Sequence, residues 1–335
     1  MTVSLVTGGA GFIGSHVCSH LISQGHQVIV LDDLSGGFRD NIHPRSKFIK
    51  GSICDVELVT NIFKTTNVDY VFHMAAYAAE GLSHFIKRFN YNNNLIGSIN
   101  LINESVKHDI KCFVFTSSIA VYGGAQLPMT EEMIPLPEDS YGIAKLAVEQ
   151  ELKCCLDIFG LNYLIFRPHN VYGERQNIGD KYRNVVGIFM NQLLRGEPLT
   201  VFGDGTQTRA FSYIADIAPL ISESVRYSEL YNNVFNIGSD QYYTINHLAT
   251  EVMKAMGISG QIRYLPSRKE VIHAYSDHSK LCKYFVSAGK STSLERGLYN
   301  MATWVKNFGS RTSPFFSNIE VSKNLPEIWR DKAGD

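Results

Sequence analysis

Tyr141 and Lys145 are the residues whose types and spacing point most directly to chemistry. Because they are four positions apart, both side chains are expected on one face of a helix. A tyrosine, whose ordinary pKa is about 10, becomes a useful base at neutral pH only when a positive charge favours the phenolate, and the Lys145 ammonium could supply that charge. Ser118 follows a predicted strand and places a hydroxyl at the carboxyl edge of a sheet, where ligands bind. Together the three residues predict a proton-transfer site, although each alone would fit an ordinary surface pair or strand end as well.

A glycine-rich segment, TGGAGFIG, follows the first predicted strand and opens the first predicted helix. Gly8 permits a tight turn, Gly11 lets the backbone approach a pyrophosphate at the helix N-terminus, and Gly14 allows the helix to pack closely on the strand. Asp32, at the end of the second predicted strand, could accept hydrogen bonds from both hydroxyls of an adenosine ribose and would repel a 2'-phosphate. This pattern predicts a site for NAD rather than NADP, and the positive charge of the nicotinamide would favour the phenolate of Tyr141 together with Lys145.

Short β-branched and aromatic runs alternate with helical patterns through the first half of the chain, and this alternation positions the motifs. The predicted strands are 3–6, 27–31, 70–72, 112–116 and 162–166, and further helical patterns occur near 184–195 and 245–256. Strands that alternate with helices are typical of a parallel sheet covered by helices. We therefore predict an α/β fold with a Rossmann-type, doubly wound parallel sheet and a smaller α/β region at the C-terminus.

The character of the sequence changes after about residue 168, where loops rich in Gly, Asn and charged residues become frequent. Pro314 and Pro326 lie in a final segment that has no strong periodicity. The expected units are a NAD-binding domain over 1–168 completed by parts of 211–240, a substrate-binding region over 169–309 and an appended C-terminal tail over 310–335.

The composition of the 335 residues is that of an ordinary globular protein, with 44% hydrophobic residues and a formal net charge of -1. This balance gives no basis for bulk electrostatic binding to nucleic acid. No run approaches the roughly 20 apolar residues of a membrane span, and glycines interrupt the first residues, so a cytoplasmic protein without a membrane partner is expected. The six cysteines lack CxxC pairs and are interpreted as buried thiols, and no metal site is expected.

Five motifs in a fixed order, TGGAGFIG, HMAA, TSSIAVYG, YGIAK and RPHNVYG, resemble the extended short-chain dehydrogenases/reductases, and specifically the nucleotide-sugar epimerases similar to UDP-glucose 4-epimerase. The resemblance covers about residues 3–285. It implies that Ser118 hydrogen-bonds the sugar 4-OH, that Tyr141 is the base and that Lys145 binds the cofactor ribose. The cofactor-binding residues implied by the motifs and the resemblance are Gly8, Gly11, Phe12, Ile13, Gly14, Asp32, Ser52, Ile53, Ala75, Asn94, Tyr141 and Lys145.

In enzymes of this type, hydride moves from C4 of the sugar to tightly held NAD while the tyrosine takes the 4-OH proton. The resulting 4-keto intermediate turns over, and hydride returns to its other face, so the reaction is an isomerisation without net redox change. The resemblance also implies a homodimer. Ser52 stands where the family usually has an adenine-contacting Asp, which leaves that contact open.

The substrate side is implied by position in the same family pattern. Asn170, Arg209 and Arg268 resemble its diphosphate ligands, and paired guanidiniums suit a doubly charged pyrophosphate. Tyr275, seven residues after Arg268, matches a position that flanks the C2 substituent of the sugar, where a large ring would favour plain hexoses over N-acetylhexosamines. The alternative is that Tyr275 only packs in the smaller region. The RAF tripeptide that contains Arg209 also occurs in relatives that act on GDP-sugars, so the base stays open.

Other functions of the superfamily remain to be compared with epimerisation at C4. Dehydratases and decarboxylases carry a carboxylate just before the tyrosine of VYG, whereas this chain reads Ser118-Ile-Ala-Val-Tyr122. GDP-mannose 3,5-epimerase carries a cysteine where this chain has Ala120, which cannot act as an acid or base. The alternatives are an epimerase for a UDP-uronate, a UDP-pentose or a GDP-sugar, and, third, a non-catalytic NAD-binding sensor or scaffold.

Overall fold

The structure is a computed structural model that describes residues 1–124, 127–268, 270–285, 288, 291–313 and 315–330. The strands are β1 (Val3–Thr7), β2 (Gln27–Asp32), β3 (Lys47–Lys50), β4 (Tyr70–His73), β5 (Cys112–Thr116), β6 (Tyr163–Pro168), β7 (Val171–Tyr172), β8 (Leu199–Phe202), β9 (Thr208–Ala210), β10 (Ser212–Tyr213), β11 (Asn233–Ile237), β12 (Tyr242–Thr244), β13 (Ile262–Leu265) and β14 (His273–Ala274). The helices are α1 (Phe12–Ser23), α2 (Val56–Thr65), α3 (Glu80–Ser83), α4 (Lys87–Tyr91), α5 (Gly97–Lys107), α6 (Ser140–Phe159), α7 (Val185–Leu194), α8 (Ile214–Glu223), α9 (Ile245–Met256), α10 (Ser279–Tyr284) and α11 (Leu294–Phe308).

The central sheet has seven strands in the order β11-β6-β5-β4-β1-β2-β3, and all its pairs are parallel. Its middle strands carry near-continuous apolar runs because helices cover both faces; every residue of β5 and of β6 is buried. The predicted α/β fold with a doubly wound parallel sheet is therefore confirmed. The chain order reverses between β1 and β4, which pair with Leu5 opposite Val71.

The sequence analysis did not predict two strands of this sheet, β3 and β11, although it expected parts of 211–240 to complete the domain, and β11 lies in that range. The first is short, half-exposed and bounded by lysines, Lys47 and Lys50, so it has neither a long apolar run nor clear alternation. The second lies far along the chain and joins the sheet only by pairing with β6, where Val234 is opposite Ile165. Pairing over such a distance leaves no local signal in the sequence.

The helices next to the sheet begin and end at recognisable residues. The Asp139 side chain caps α6 by accepting hydrogen bonds from the backbone of Tyr141 and Gly142, and Gly160 ends the helix with φ 73°. Thr244 and Gly257 play the same roles for α9. Among the described residues, no helix is both long and apolar enough to cross a membrane.

The C-terminal segment is not merely appended, as its lack of periodicity had suggested. Leu325 and Trp329 are buried, and they pack in one cluster with Ala79, Leu82 and Ile86 of the N-terminal half. Pro314 and residues 331–335 of the predicted tail lie outside the described residues. A few large apolar side chains thus attach a segment that has no repeated pattern.

The expectation that all six cysteines are buried is wrong for three of them. Cys18, Cys112 and Cys155 are buried, whereas Cys54 is only partly buried and Cys154 and Cys282 are exposed. Within the part of the chain that the structure describes, His, Cys, Asp and Glu side chains form no group of three that could hold a metal ion.

Candidate active site

A cavity of about 510 Å³ lies along the carboxyl edge of the sheet, at the reversal of strand order between β1 and β4. Ligands of doubly wound sheets bind at such a reversal because the loops on its two sides diverge. The glycine-rich turn after β1 and the side chains of Tyr141 and Lys145 line this cavity, and so do Arg209 and Arg268 of the C-terminal region. One cavity therefore contains the residues for which both cofactor and substrate roles were predicted.

The glycine-rich turn brings two loops together more closely than side chains would allow. A Cβ on Gly8, which has φ +70°, would lie 2.7 Å from the backbone nitrogen of Ala75 after β4. A Cβ on Gly14 would overlap the Gly8 carbonyl oxygen. Gly11 precedes α1, and no side chain caps the first N–H groups of that helix. Uncapped N–H groups beside an open backbone form a cradle for a pyrophosphate.

The Asp32 carboxylate lies at the edge of this cradle. Its oxygens accept hydrogen bonds from the backbone N–H of Ala10, at 3.0 Å, and of Leu34, at 2.8 Å. Burial raises the pKa of Asp32. The carboxylate is thus held in place by the backbone while it still lines the cavity, where ribose hydroxyls can donate to it. The neighbouring Asp33 also lines the cavity, but its carboxylate accepts from the Ser35 backbone N–H in an exposed turn.

The cradle and the carboxylate fit NAD in their donor and acceptor chemistry. Most of the residues with predicted cofactor roles line the cavity: Gly8, Gly11, Phe12, Ile13, Gly14, Asp32, Ser52, Ile53, Ala75, Tyr141 and Lys145.

Asn94 is the exception among the predicted cofactor residues, because the structure places its side chain away from the cavity. Its amide accepts from the Tyr77 backbone N–H at 2.8 Å and donates to the Tyr77 carbonyl and to Asn90. Asn94 is 1% exposed. It holds the loop after β4 and has no free donor directed at a ligand, so its predicted contact with the cofactor is wrong.

Tyr141 and Lys145 lie in the first turns of α6, directly after the capping Asp139. The Lys145 Nζ donates to the Thr116 carbonyl at the end of β5, at 2.7 Å, and lies 5.7 Å from the centroid of the Tyr141 ring. The Tyr141 side chain is hydrogen-bonded to that of Ser118. The three side chains predicted to act together are thus neighbours in the fold.

The surroundings of Tyr141 raise its pKa, whereas the sequence analysis expected Lys145 to lower it. Burial, and after it the Glu80 carboxylate, raise the pKa of Tyr141, whereas the hydrogen bond from Ser118 opposes the rise. Burial also lowers the pKa of Lys145 to about 7, although the Glu149 carboxylate opposes this shift. The protein alone therefore favours the neutral phenol, and activation of Tyr141 by Lys145 together with the nicotinamide charge stays a prediction.

Two polar residues of the sequence motifs support the framework. His73 has one ring nitrogen 2.7 Å from Thr7 Oγ1 and the other 2.7 Å from Ser98 Oγ. It is fully buried between a strand and a helix, and burial lowers its pKa. Arg167 is also buried and donates to Glu149 through its Nε at 2.9 Å. These residues position strand ends and do not reach the cavity.

Two arginines at the C-terminal side of the cavity share one carboxylate. Arg268 Nη2 lies 3.1 Å from the Glu270 carboxylate, and Arg209 Nη2 lies 3.5 Å from the same oxygen. Asn170 lines the cavity as predicted and donates to the Ala210 carbonyl. Glu270 was missed by the sequence analysis because only the fold brings it between the two arginines. It holds two guanidiniums together that would otherwise repel each other.

Glu80 is a second carboxylate of the cavity that the sequence analysis missed. Its side chain is accessible through the cavity and surrounded by protein atoms. Burial, and next the neighbouring Asp139, raise the pKa of Glu80 to about 7, while Arg209 and Arg268 oppose the rise. Because Glu80 interacts with Tyr141 as well as with both arginines, it lies along the space that a substrate must occupy.

Tyr275 does not face the cavity, so its predicted role as a steric gate is wrong. Its ring stacks on Tyr242 with centroids 4.4 Å apart, and its carbonyl accepts from the Met129 backbone N–H. The side chain is therefore held against a neighbouring strand. The alternative interpretation, packing within the smaller region, fits the structure.

Arg183 is a residue of the cavity that the sequence analysis did not assign to the site. It lines the cavity, donates to the Asp180 carboxylate from Nε at 2.7 Å and lies over the Tyr77 ring at 4.9 Å. Lys181, two residues earlier, is exposed and lies 3.3 Å from the centroid of the Phe315 ring. The loop after β7 thus sends one guanidinium into the site.

The chain matches known proteins along most of its length. Residues 4–238 match the model of the NAD dependent epimerase/dehydratase family. A putative UDP-glucose 4-epimerase from Methanocaldococcus jannaschii is 35% identical over 309 residues, which cover 90% of this chain and 98% of that protein.

Solved structures agree with this match. A UDP-glucose 4-epimerase from Thermotoga maritima, crystallised with UDP-glucose, is 36% identical to this chain and superposes with a TM-score of 0.84. The match covers 92% of this chain and 99% of that structure. A UDP-glucose 4-epimerase from Thermus thermophilus in complex with NAD is 27% identical with a TM-score of 0.85, over 91% of this chain and 99% of that structure.

Proposed function

This chain belongs to the NAD-dependent epimerase/dehydratase family and is an NAD-binding epimerase of nucleotide sugars; we propose that it inverts C4 of a UDP-hexose and so interconverts UDP-glucose and UDP-galactose. One observation carries this proposal. Ser118 and Tyr141 lie in the same cavity as the glycine cradle and the arginine pair of Arg209 and Arg268. A nucleotide sugar whose diphosphate meets the arginines can therefore present its sugar to the tyrosine.

The residues of the chain account for binding and proton transfer. Arg209 and Arg268 bind the diphosphate through charge-assisted hydrogen bonds. Ser118 orients the 4-OH, and Tyr141 takes its proton and later returns it. NAD, which the glycine cradle and Asp32 would hold, would supply a reversible hydride acceptor for C4 of the sugar, so that no net oxidation would result. Lys145 is held below the tyrosine by the Thr116 carbonyl, where a protonated amine favours the phenolate.

Glu80 supports a neutral hexose over a UDP-uronate. Its side chain lines the same cavity as Tyr141 and the arginine pair, which places it near the sugar of a substrate bound there. Because the pKa of Glu80 is raised to about 7, a sugar carboxylate would meet a second negative charge above that pH, and like charges in a confined site disfavour binding. Sugar hydroxyls, by contrast, can donate hydrogen bonds to Glu80.

The experiment is an activity panel. Purified protein with added NAD is incubated with UDP-glucose, UDP-galactose, UDP-N-acetylglucosamine, UDP-glucuronate, UDP-xylose and GDP-mannose, and the products are separated by chromatography. We expect kcat/KM for UDP-glucose to exceed that for UDP-glucuronate by at least about tenfold. A preference for a GDP-sugar or a uronate would identify one of the alternative epimerases. No product from any sugar nucleotide, despite bound NAD, would identify a sensor or scaffold.

Glu80→Gln separates the charge of this residue from its size. We expect the variant to gain activity on UDP-glucuronate relative to UDP-glucose, because the repulsion is removed. Glu57→Gln, on the exposed start of α2, is the matched control and should leave the ratio unchanged. An unchanged ratio in Glu80→Gln would show that Glu80 does not face the sugar.

A homodimer is part of the same proposal. The resemblance implies pairing through two helices of each subunit, and exposed apolar side chains, among them Ile96 just before α5 and Ile143 and Phe159 of α6, provide a surface for it. Light scattering of the purified protein would measure the mass directly, and a monomer at micromolar concentration would contradict this part of the proposal.

A further inference from the structure

The C-terminal strap, defined here as residues 315–330, is attached to the N-terminal half of the molecule by a carboxylate. The Glu320 side chain accepts hydrogen bonds from the backbone N–H groups of Arg88 and Phe89, both at 2.9 Å. The Glu320 backbone N–H donates to the Phe85 carbonyl at 2.8 Å. One residue of the strap thus provides hydrogen-bond partners for three backbone groups around the start of α4.

The strap also contacts the C-terminal side of the cavity. The Phe316 backbone N–H donates to the Tyr182 hydroxyl at 2.9 Å. The rings of Phe316 and Tyr77 are 5.4 Å apart, and Tyr77 itself lines the cavity. Leu325 is buried in the same cluster. The strap therefore joins two sides of the cavity that are far apart in the sequence.

Trp329, at the end of the strap, is 3% exposed and packs against residues that border the substrate region. Its ring centroid lies 5.6 Å from that of Tyr182 and 6.0 Å from that of Phe202, both in edge-to-face arrangements. The Arg268 guanidinium carbon lies 4.4 Å from the Phe202 centroid and 5.4 Å from the Trp329 centroid. Two aromatic rings therefore hold one guanidinium.

Gly81 provides the space for this arrangement. A Cβ at this position would lie 3.1 Å from the Trp329 ring and 3.3 Å from Arg268 Nη1. The strap, Arg268 and the residue next to Glu80 therefore meet at one point, where a Cβ would fit only if the Trp329 or Arg268 side chain shifted by a few tenths of an ångström.

We propose that the C-terminal strap is part of the substrate-binding site and that Trp329 is a positioning residue, which holds the Arg268 guanidinium in the orientation that meets the substrate diphosphate. This rests on the proposed function, because Arg268 is taken there as a diphosphate ligand. A long arginine side chain loses rotational freedom when it binds, and aromatic contacts that restrict it beforehand reduce that cost. Because the diphosphate does not react, Trp329 should affect binding far more than turnover.

The chain contains only two tryptophans, which allows a direct spectroscopic test. Trp304→Phe leaves Trp329 as the single tryptophan, and Trp304 lies in α11, where its ring contacts Phe308. Titration of this variant with UDP, and separately with GDP, should change the Trp329 emission to saturation for the base that the enzyme binds. Arg268→Ala in the same background should reduce the change. An emission that both nucleotides leave unchanged would contradict the proposal.

Kinetics provide the second test. We expect Trp329→Ala to raise KM for UDP-glucose about five- to tenfold while kcat changes less than about twofold, and Trp329→Phe to restore most of the loss because it keeps an aromatic ring beside Arg268. Trp304→Phe should keep the native KM and kcat. An unchanged KM in Trp329→Ala, or a fall confined to kcat, would overturn the positioning role.

The two tests separate this proposal from the proposed function. A saturable change in Trp329 emission in a protein that converts no UDP-hexose would support the strap and contradict the proposed reaction. The opposite outcome is normal turnover of UDP-glucose, an unchanged emission in Trp304→Phe and an unchanged KM in Trp329→Ala. It would contradict the proposed role of the strap and leave the proposed reaction supported. If Trp329→Ala fails to fold, the fluorescence titration of Trp304→Phe still tests whether nucleotide binding reaches Trp329.

Discussion

The two ends of the cavity are built in different ways. The cofactor end is made of backbone N–H groups and one carboxylate, and most of its cradle comes from the turn between β1 and α1. The substrate end is made of charged side chains from distant parts of the chain: Glu80, Arg183, Arg209, Arg268 and Glu270. A continuous motif thus faces a set of residues that only the fold brings together.

This difference bears on how each end tolerates change. At the cofactor end, the Gly14 position has no space for a side chain, because a Cβ there would overlap the Gly8 carbonyl. At the substrate end, opposite charges compensate one another, as Glu270 does for Arg209 and Arg268. We infer that the cofactor end is constrained by backbone geometry, whereas the substrate end can be altered by changing one charge at a time. The predictions below test that contrast.

The largest effect is expected from Tyr141→Phe, at the junction of the two ends. Loss of the hydroxyl removes a positioned general base with little change in packing, so kcat should fall by about two to four orders of magnitude while bound NAD is retained. Turnover and cofactor content of the purified variant are the measurements. Tyr275→Phe, outside the cavity, is the matched control and should keep the native rate. A near-native rate for Tyr141→Phe would remove the tyrosine from the reaction.

A smaller effect, confined to the cofactor end, is expected from Asp32→Ser. The ribose hydroxyls lose an anionic acceptor, so the affinity for NAD should fall by about ten- to a hundredfold. The ratio of the affinities for NAD and NADP should also become smaller. Cofactor content after purification and a titration with each nucleotide measure this. Asp157→Ser, at an exposed position of α6 outside the cavity, should bind NAD as the native chain does. If Asp32→Ser binds NAD as tightly as this control, the Asp32 carboxylate does not bind the ribose.

The smallest effect is expected at the substrate end, in the pH dependence of stability. The pKa of Glu80 is raised from 4.5 to about 7, so its contribution to stability is fully present below 4.5 and is lost as the pH rises through about 7. The free energy of unfolding of the native chain should therefore decline more between about pH 5 and pH 8 than that of Glu80→Gln. Denaturant unfolding at both pH values is the measurement. Equal pH dependence in the two proteins would show that Glu80 does not titrate in this range.

The cofactor end could be anticipated because its residues are close together in the sequence. The turn that contains Gly8 and Gly14 must follow a strand and open a helix, and the strand ends of a parallel sheet meet at one edge. Asp32 ends β2 and Ala75 follows β4, the two strands on either side of β1, so strand prediction alone brings both close to the turn after β1. Asn94 misled the sequence analysis because the direction of its amide depends on Tyr77, which no local pattern indicates.

The substrate end could be anticipated only in part. Arg209 and Arg268 were proposed from family resemblance, and both line the cavity. Glu80 and Glu270 carry no motif, and the resemblance gave no reason to select Tyr242 as the partner that holds Tyr275 away. The strap had no periodicity because a few contacts, rather than a regular face, attach it.

By itself the sequence determined the parallel sheet, the pyrophosphate cradle and the side chains available for proton transfer, because each depends on residues within one strand, turn or helix. Only the tertiary structure decided which charges surround the sugar. Long side chains such as Arg268 take their direction from neighbours contributed by other segments, here Phe202 and Trp329, and this direction follows from packing across the whole molecule.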